Sequence, residues 1–184
     1  GLSAENPKSF VAVILEAVSA LAATKTSLPG RITAGFGAIT HILWEIAEYF
    51  AKMPQAKRPK RSLLFVWHVG EENGLWGSRY VTDHSPVPRE SIVAQLNMDM
   101  VGRGEASDLP VGNPDYVQLV GSHRLSTELG DLVEKLNKDQ RRPLKFDYQF
   151  DAPGHPENIY CRSDHYNYAR YGIPITFFTT GLHG

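Results

Sequence analysis

Two stretches of this chain repeat one pattern, and together they constrain the fold more than any other feature. Ser62 to Ser78 reads SLLFVWHVGEENGLWGS: an apolar, β-branched run stops at Gly70, two carboxylates follow at Glu71 and Glu72, and a helix opens at about Leu75. Ser91 to Leu96 is a second buried strand, ending in Asn97-Met98-Asp99-Met100-Val101-Gly102, again an acid and a glycine. Two such units, joined by a helix from Leu75 to His84, describe a right-handed βαβ crossover. The crossover sets both carboxyl ends at one edge of a sheet, where α/β proteins assemble their sites. Glu71, Glu72 and Asp99 are therefore expected to converge on one pocket. Taken alone, the Glu-Glu pair reads as a solvated turn, because charged side chains are mostly exposed. Two carboxylates in one tight turn also repel, so a functional pair calls for a cation or a shared proton between them.

The rest of the chain alternates in the same way. Asn6-Pro7 is a good helix start, and Pro7 to about Thr24 is expected to form a largely buried helix. Its apolar core, Phe10 to Ala23 after Lys8, has the outline of a secretory signal and is too short to span a bilayer; Glu16 in mid-run argues for the helix. Ser27 to Gly30 reads as a turn, with Gly35 and Gly37 loosening the approach to an amphipathic helix from Ala38 to Met53. Beyond Asp99, Arg103 to Pro114 reads as a loop and Tyr116 to Val120 as a strand. Ser126 to Gln140 is an amphipathic helix and Lys145 to Phe150 a strand. Asp151 to Pro156 is a rigid loop, Ser163-Asp164-His165 opens a helix running to about Tyr171, and Ile175 to Thr179 is a final buried strand. The pattern is that of an α/β fold, a three-layer sandwich in which a mixed, mostly parallel sheet carries helices on both faces.

Composition narrows the partners. At 184 residues, 42% of them hydrophobic, the chain suits a single domain spanning 1–184 with one sizeable core. Its 19 basic and 20 acidic side chains leave a net charge of -1, which offers nothing to nucleic acid or to an anionic membrane. Lys57 to Arg61 is a short basic turn without aromatic interleaving. Cys161 is the single cysteine, so an internal disulfide is excluded.

Three motifs in order, Phe65 to Tyr80 around Gly70-Glu71-Glu72, then Leu96 to Gly102, then Ser163-Asp164-His165 followed by Tyr171-Gly172-Ile173-Pro174, resemble the zinc-dependent aminopeptidases with a co-catalytic two-metal site. Glutaminyl cyclases and glutamate carboxypeptidases share that fold, and the resemblance covers about Ile42 to His183. It implies a peptide or small amino-acyl substrate and hydrolysis of an N-terminal peptide bond by metal-activated water. It assigns Glu71 as general base, Glu72 as a ligand to one zinc ion and Asp99 as a ligand to the other, and it implies that Tyr160 donates a hydrogen bond to the developing oxyanion. Asp164 and His165 would orient a helix start. Family members are often secreted or periplasmic.

The same resemblance calls for ligands that this sequence lacks. No histidine precedes His41, so the family's His-x-Asp motif is absent, and register places its bridging aspartate near Ala34 or Gly35. The family's last histidine falls a few residues beyond His183. His183 and His165, and after them His155 and His68, are the histidines that would substitute if the fold brought them close. The reading that follows is of a truncated or altered metallo-exopeptidase, atypical over residues 1–37. Its alternatives are a non-catalytic peptidase-like scaffold or an acyltransferase of the glutaminyl cyclase kind.

Overall fold

The computed structural model describes residues 31–36, 40–101 and 116–180. The expected helix before Thr24, most of the loop after Val101, and His183 lie outside the described residues. Six strands form one sheet: β1 (Arg31–Phe36), β2 (Ser62–Trp67), β3 (Ile92–Met98), β4 (Tyr116–Val120), β5 (Lys145–Asp147) and β6 (Ile175–Thr179). Their spatial order is β2-β1-β3-β6-β4-β5. β4 runs antiparallel to β6, and every other pairing is parallel.

The order bears out the shared carboxyl edge and adds a strand within the crossover. β2 and β3 run parallel, but β1 lies between them, pairing with β2 on one side and β3 on the other. β1 follows the expected turn at Ser27 to Gly30 and includes Gly35, which reads from sequence as loosening the approach to a helix. Arg-Ile-Thr-Ala-Gly-Phe is short, and Gly35 weakens its strand signal; the main chain of neighbours on both edges supplies what local propensity does not. β5 is also shorter than the expected Lys145 to Phe150, because a 3-10 turn, Gln149–Asp151, replaces its end.

Helices α1 (Thr40–Lys52), α2 (Trp76–Asp83), α3 (Thr127–Lys138) and α4 (His165–Ala169) cover the sheet. On one face, Leu43, Ile46 and Phe50 of α1 and Leu129 and Val133 of α3 pack on Leu96, Met98, Leu119 and Phe178. On the other, Tyr168 and Ala169 of α4 pack on Ile92 and Ile175. Each such fully buried side chain stabilises the fold by about 1.5–3 kcal/mol. α3 begins where Ser126 Oγ accepts a 3.1 Å hydrogen bond from the Leu129 amide, a side-chain cap for an otherwise unpaired donor.

A bulge decides which β3 side chains meet α4. Arg31 pairs with Ile92 but Ile32 with Ala94, so Val93 is an extra residue. Side chains alternate across a strand, and one inserted residue reverses the alternation. Ile92 consequently joins the α4 side, whereas Ala94, Leu96 and Met98 enter the core beneath α1 and α3. Gln95, Asn97 and Asp99 are left on the α4 side as a polar row.

Candidate active site

The acid turn after β2 is built by its main chain. The amides of Gly74 and Leu75 donate to the Glu71 carbonyl at 3.1 and 2.9 Å, and those of Trp76 and Gly77 donate to Gly70 and Val69 at 3.2 and 2.8 Å. Gly77 sits so close to the strand exit that a Cβ there would lie 2.5 Å from the Val69 carbonyl oxygen. α4 braces the same turn: Asn167 Nδ2 donates to Ser78 Oγ at 2.8 Å and to the Leu75 carbonyl at 3.3 Å.

Asp99 is reached by the polar row of β3. Gln95 Nε2 donates to Asn97 Oδ1 at 3.4 Å, Asn97 Nδ2 to Ser163 Oγ at 3.0 Å, and Ser163 Oγ to Asp99 Oδ2 at 2.9 Å. Beyond the strand, the Asp99 amide donates to the Phe178 carbonyl at 3.2 Å, which ties the acid to the end of β6.

Glu71, Glu72 and Asp99 line one cavity of about 320 Å³. Met100, Phe150, Ile159 and Phe177 supply its apolar wall, and Arg162, Ser163 and Thr179 complete the lining. A second, more open cavity of about 450 Å³ shares Glu71, Glu72 and Arg162 and continues past Leu75 and Asn167. Backbone strain concentrates here. Among the described residues the non-glycine residues with positive φ are Leu75 at 61°, Met100 at 54° and Asn158 at 46°. Leu75 and Met100 each line a cavity, and Asn158 precedes a lining residue. Such strain persists only where the surroundings over-determine it, which is typical of functional sites.

The electrostatics are those of crowded acids. Glu71 is pushed up to about 7, first by burial, then by Asp99, Glu72 and Asp164, with Arg162 opposing. Asp99 is raised by burial and by Glu72, against the hydrogen bonds from Ser163 and the Met100 amide. Asp164, 0% exposed, is raised to about 6 by burial and by Asp99. It stands at the start of α4 but makes no side-chain cap bond there, so its expected capping role is not the one it performs.

The remaining sequence candidates fall elsewhere. His165 is 0% exposed, donates from Nε2 to the Tyr160 carbonyl at 2.8 Å and stacks on Phe177 at 4.4 Å. Burial lowers it to about 3, and it does not line the acidic cavity. It is a core histidine that anchors the 3-10 turn Ile159–Cys161. Tyr160 also stands outside both cavity linings: its ring lies under the Arg124 guanidinium at 4.1 Å and edge-on to His165. His68 is hydrogen-bonded to the Tyr168 hydroxyl at 3.2 Å, and His155 Nδ1 accepts from the Glu157 amide at 3.3 Å. Ser163, Asn97 and Arg162 are the site residues that sequence reading passed over. The odd-numbered polar row 95, 97, 99 was the available signal for Asn97.

Fold and site together are those of an α/β domain with acids at the carboxyl edge of its sheet. Residues 34–183 match the model of Peptidase family M28, and the chain belongs to that family. A probable leucine aminopeptidase of Arthroderma otae is 30% identical over 91 residues, which is 50% of this chain and 26% of that protein. One of Arthroderma benhamiae is 39% identical over 54 residues, 29% of this chain and 15% of that one. The chain thus matches about a quarter or less of the length of these relatives. The crystal structure of Legionella pneumophila LapA aminopeptidase aligns with a TM-score of 0.59 at 20% identity, over 83% of this chain and 41% of that one, a likeness of fold.

Family M28 is generally metal-dependent. The residues here meet that requirement in part. Glu72 and Asp99 present hard oxygen donors to one acidic cavity, which suits a hydrated divalent cation. A catalytic zinc site takes three protein ligands and keeps one position open. Among the described residues no group of three or more His, Cys, Asp or Glu is arranged to hold a metal ion. The described residues therefore suit one loosely held cation, and two complete zinc centres are not formed among them. Among the described residues, too, no helix is long and apolar enough to cross a membrane.

Proposed function

We propose that the chain is the acidic half of a metal-dependent aminopeptidase-like hydrolase, acting on the N-terminal residue of a peptide or a small amino-acyl substrate. The observation that carries the reading is the convergence of Glu71, Glu72 and Asp99 on one cavity that is also lined by apolar Met100, Phe150, Ile159 and Phe177. A free α-ammonium group is drawn to the acids, and an apolar first side chain suits the wall of Met100, Phe150, Ile159 and Phe177. The relatives named as probable leucine aminopeptidases agree with such a preference.

Glu71 is the general base. Raised to about 7, its carboxyl is poised to take a proton from an attacking water near neutral pH and to return it to the leaving amine. Glu72 and Asp99 would hold the divalent ion, zinc by resemblance to the family, and when bound it supplies Lewis acidity and a more acidic water. Ser163, held by Asn97, fixes the Asp99 carboxylate. Tyr160 is the oxyanion donor suggested by resemblance; with its ring packed under Arg124, it reaches the reacting carbonyl only if its hydroxyl turns toward the cavity.

The test is hydrolysis of leucyl-p-nitroanilide by the 184-residue chain with added zinc, beside Glu71→Gln. Turnover lost by about 10²-fold or more in the variant is the expected result. The incomplete ligand set among the described residues favours a second reading, a peptidase-like binding domain without turnover. Equal rates for wild type and variant would support it.

A further inference from the structure

Arg162 is the cation that stands against the acids in both cavities, and charge balance alone does not require its placement. Its main chain is fixed at the end of the 3-10 turn, where its amide donates to the Ile159 carbonyl at 3.0 Å. Among the described residues its guanidinium donates through Nη1 to Glu157 Oε2 at 2.8 Å, and 53% of its side chain is exposed. A salt bridge this open contributes little to stability. It does pre-orient one edge of a planar fork, leaving the other N–H groups for a ligand. Arginine is suited to this, because its rigid fork matches a carboxylate with two parallel bonds.

The second cavity supplies the position. It shares Glu71, Glu72 and Arg162 with the acidic cavity, takes in Leu75 and Asn167, and is lined by none of Met100, Phe150, Ile159 and Phe177 of the apolar wall. A substrate whose first side chain lies on that wall and whose scissile bond lies at Glu71 sends its remainder into this more open space. A dipeptide spans only about 7 Å when extended. Its ammonium end and its carboxylate end would then meet the acids and the guanidinium in turn.

We infer that Arg162 binds a carboxylate on the leaving side of the scissile bond, so that the site favours very short peptides with a free carboxyl terminus. The inference rests on the peptidase reading above.

Calorimetric titration of the full chain with leucyl-glycine and with leucyl-glycinamide, with and without zinc, separates the two claims. The free acid should bind about tenfold or more tighter than the amide. Arg162→Gln should abolish that preference, and Arg162→Lys should keep part of it, since lysine retains the charge but not the fork. Circular dichroism of the variants checks their folding. Equal binding of the two peptides, or a preference unchanged in Arg162→Gln, overturns the role of Arg162 and leaves the peptidase reading standing. Binding of neither peptide, with or without zinc, overturns both.

Discussion

Ser163 donates a 2.9 Å hydrogen bond to Asp99 across 64 residues of sequence, joining the 3-10 turn before α4 to the acid that ends β3. The same hydroxyl accepts from Asn97 at 3.0 Å, so one atom orders two buried polar groups. Removing it leaves Asn97 Nδ2 without its acceptor and Asp99 Oδ2 without this donor. Ser163→Ala should destabilise the fold by about 1–3 kcal/mol, the range for an unsatisfied buried polar group. Urea denaturation measures it. A double-mutant cycle with Asp99→Asn should show coupling, because the two side chains share one bond.

The pH dependence of stability follows from Glu71. Its carboxyl is raised in the folded state to about 7 from the ordinary 4.5, so between those values the native state binds more protons than the unfolded one. Stability should be greatest at the acid side of that window and fall as pH rises through it. Asp164, raised to about 6 from 3.8, adds a fall of the same sign at lower pH. Denaturation midpoints from pH 4 to 8 in metal-free buffer check the slope. Glu71→Gln should flatten its upper part, and a slope unchanged by the substitution would show that Glu71 titrates normally.

The acid turn depends on close packing at Gly77, where a Cβ would meet the Val69 carbonyl oxygen at 2.5 Å and its nitrogen at 2.6 Å. Both are backbone atoms and cannot swing aside. Gly77→Ala should therefore displace the start of α2 and the Glu71-Glu72 turn with it, a strained substitution costing about 1–3 kcal/mol. A thermal melt reads the loss of stability, and activity on leucyl-p-nitroanilide should fall further than stability alone explains.

Beneath α1 and α3, Phe178 is fully buried on β6 among Leu43, Leu96, Leu119 and Leu129. Phe178→Ala should cost about 3–5 kcal/mol through lost burial and the cavity left behind. Chemical denaturation would show it as a shifted midpoint with an unchanged slope.

Local signals in the chain were strong where burial and chemistry coincide. β4 and β6 stand at the bounds expected from their apolar runs, and α3 begins beside the capping Ser126 that marks it. The two acid turns share a cavity as their repeated pattern implied. β1 was not legible, because a central strand of six residues containing glycine owes its form to neighbours brought from far along the chain. His165 and Tyr160 show the complementary limit. Their motif marks the fold, yet whether a side chain faces a cavity or the core is set by the packing of Phe177 and Arg124 around them.

The most direct measurement is an equilibrium titration of the chelator-treated 184-residue chain with zinc near pH 7.5, beside Glu72→Ala and Asp99→Ala. If the two acids form one cation site, the wild type takes up the ion and each variant binds it at least tenfold more weakly. No uptake by the wild type, or uptake unchanged in both variants, would contradict a metal-holding role for the acidic cavity.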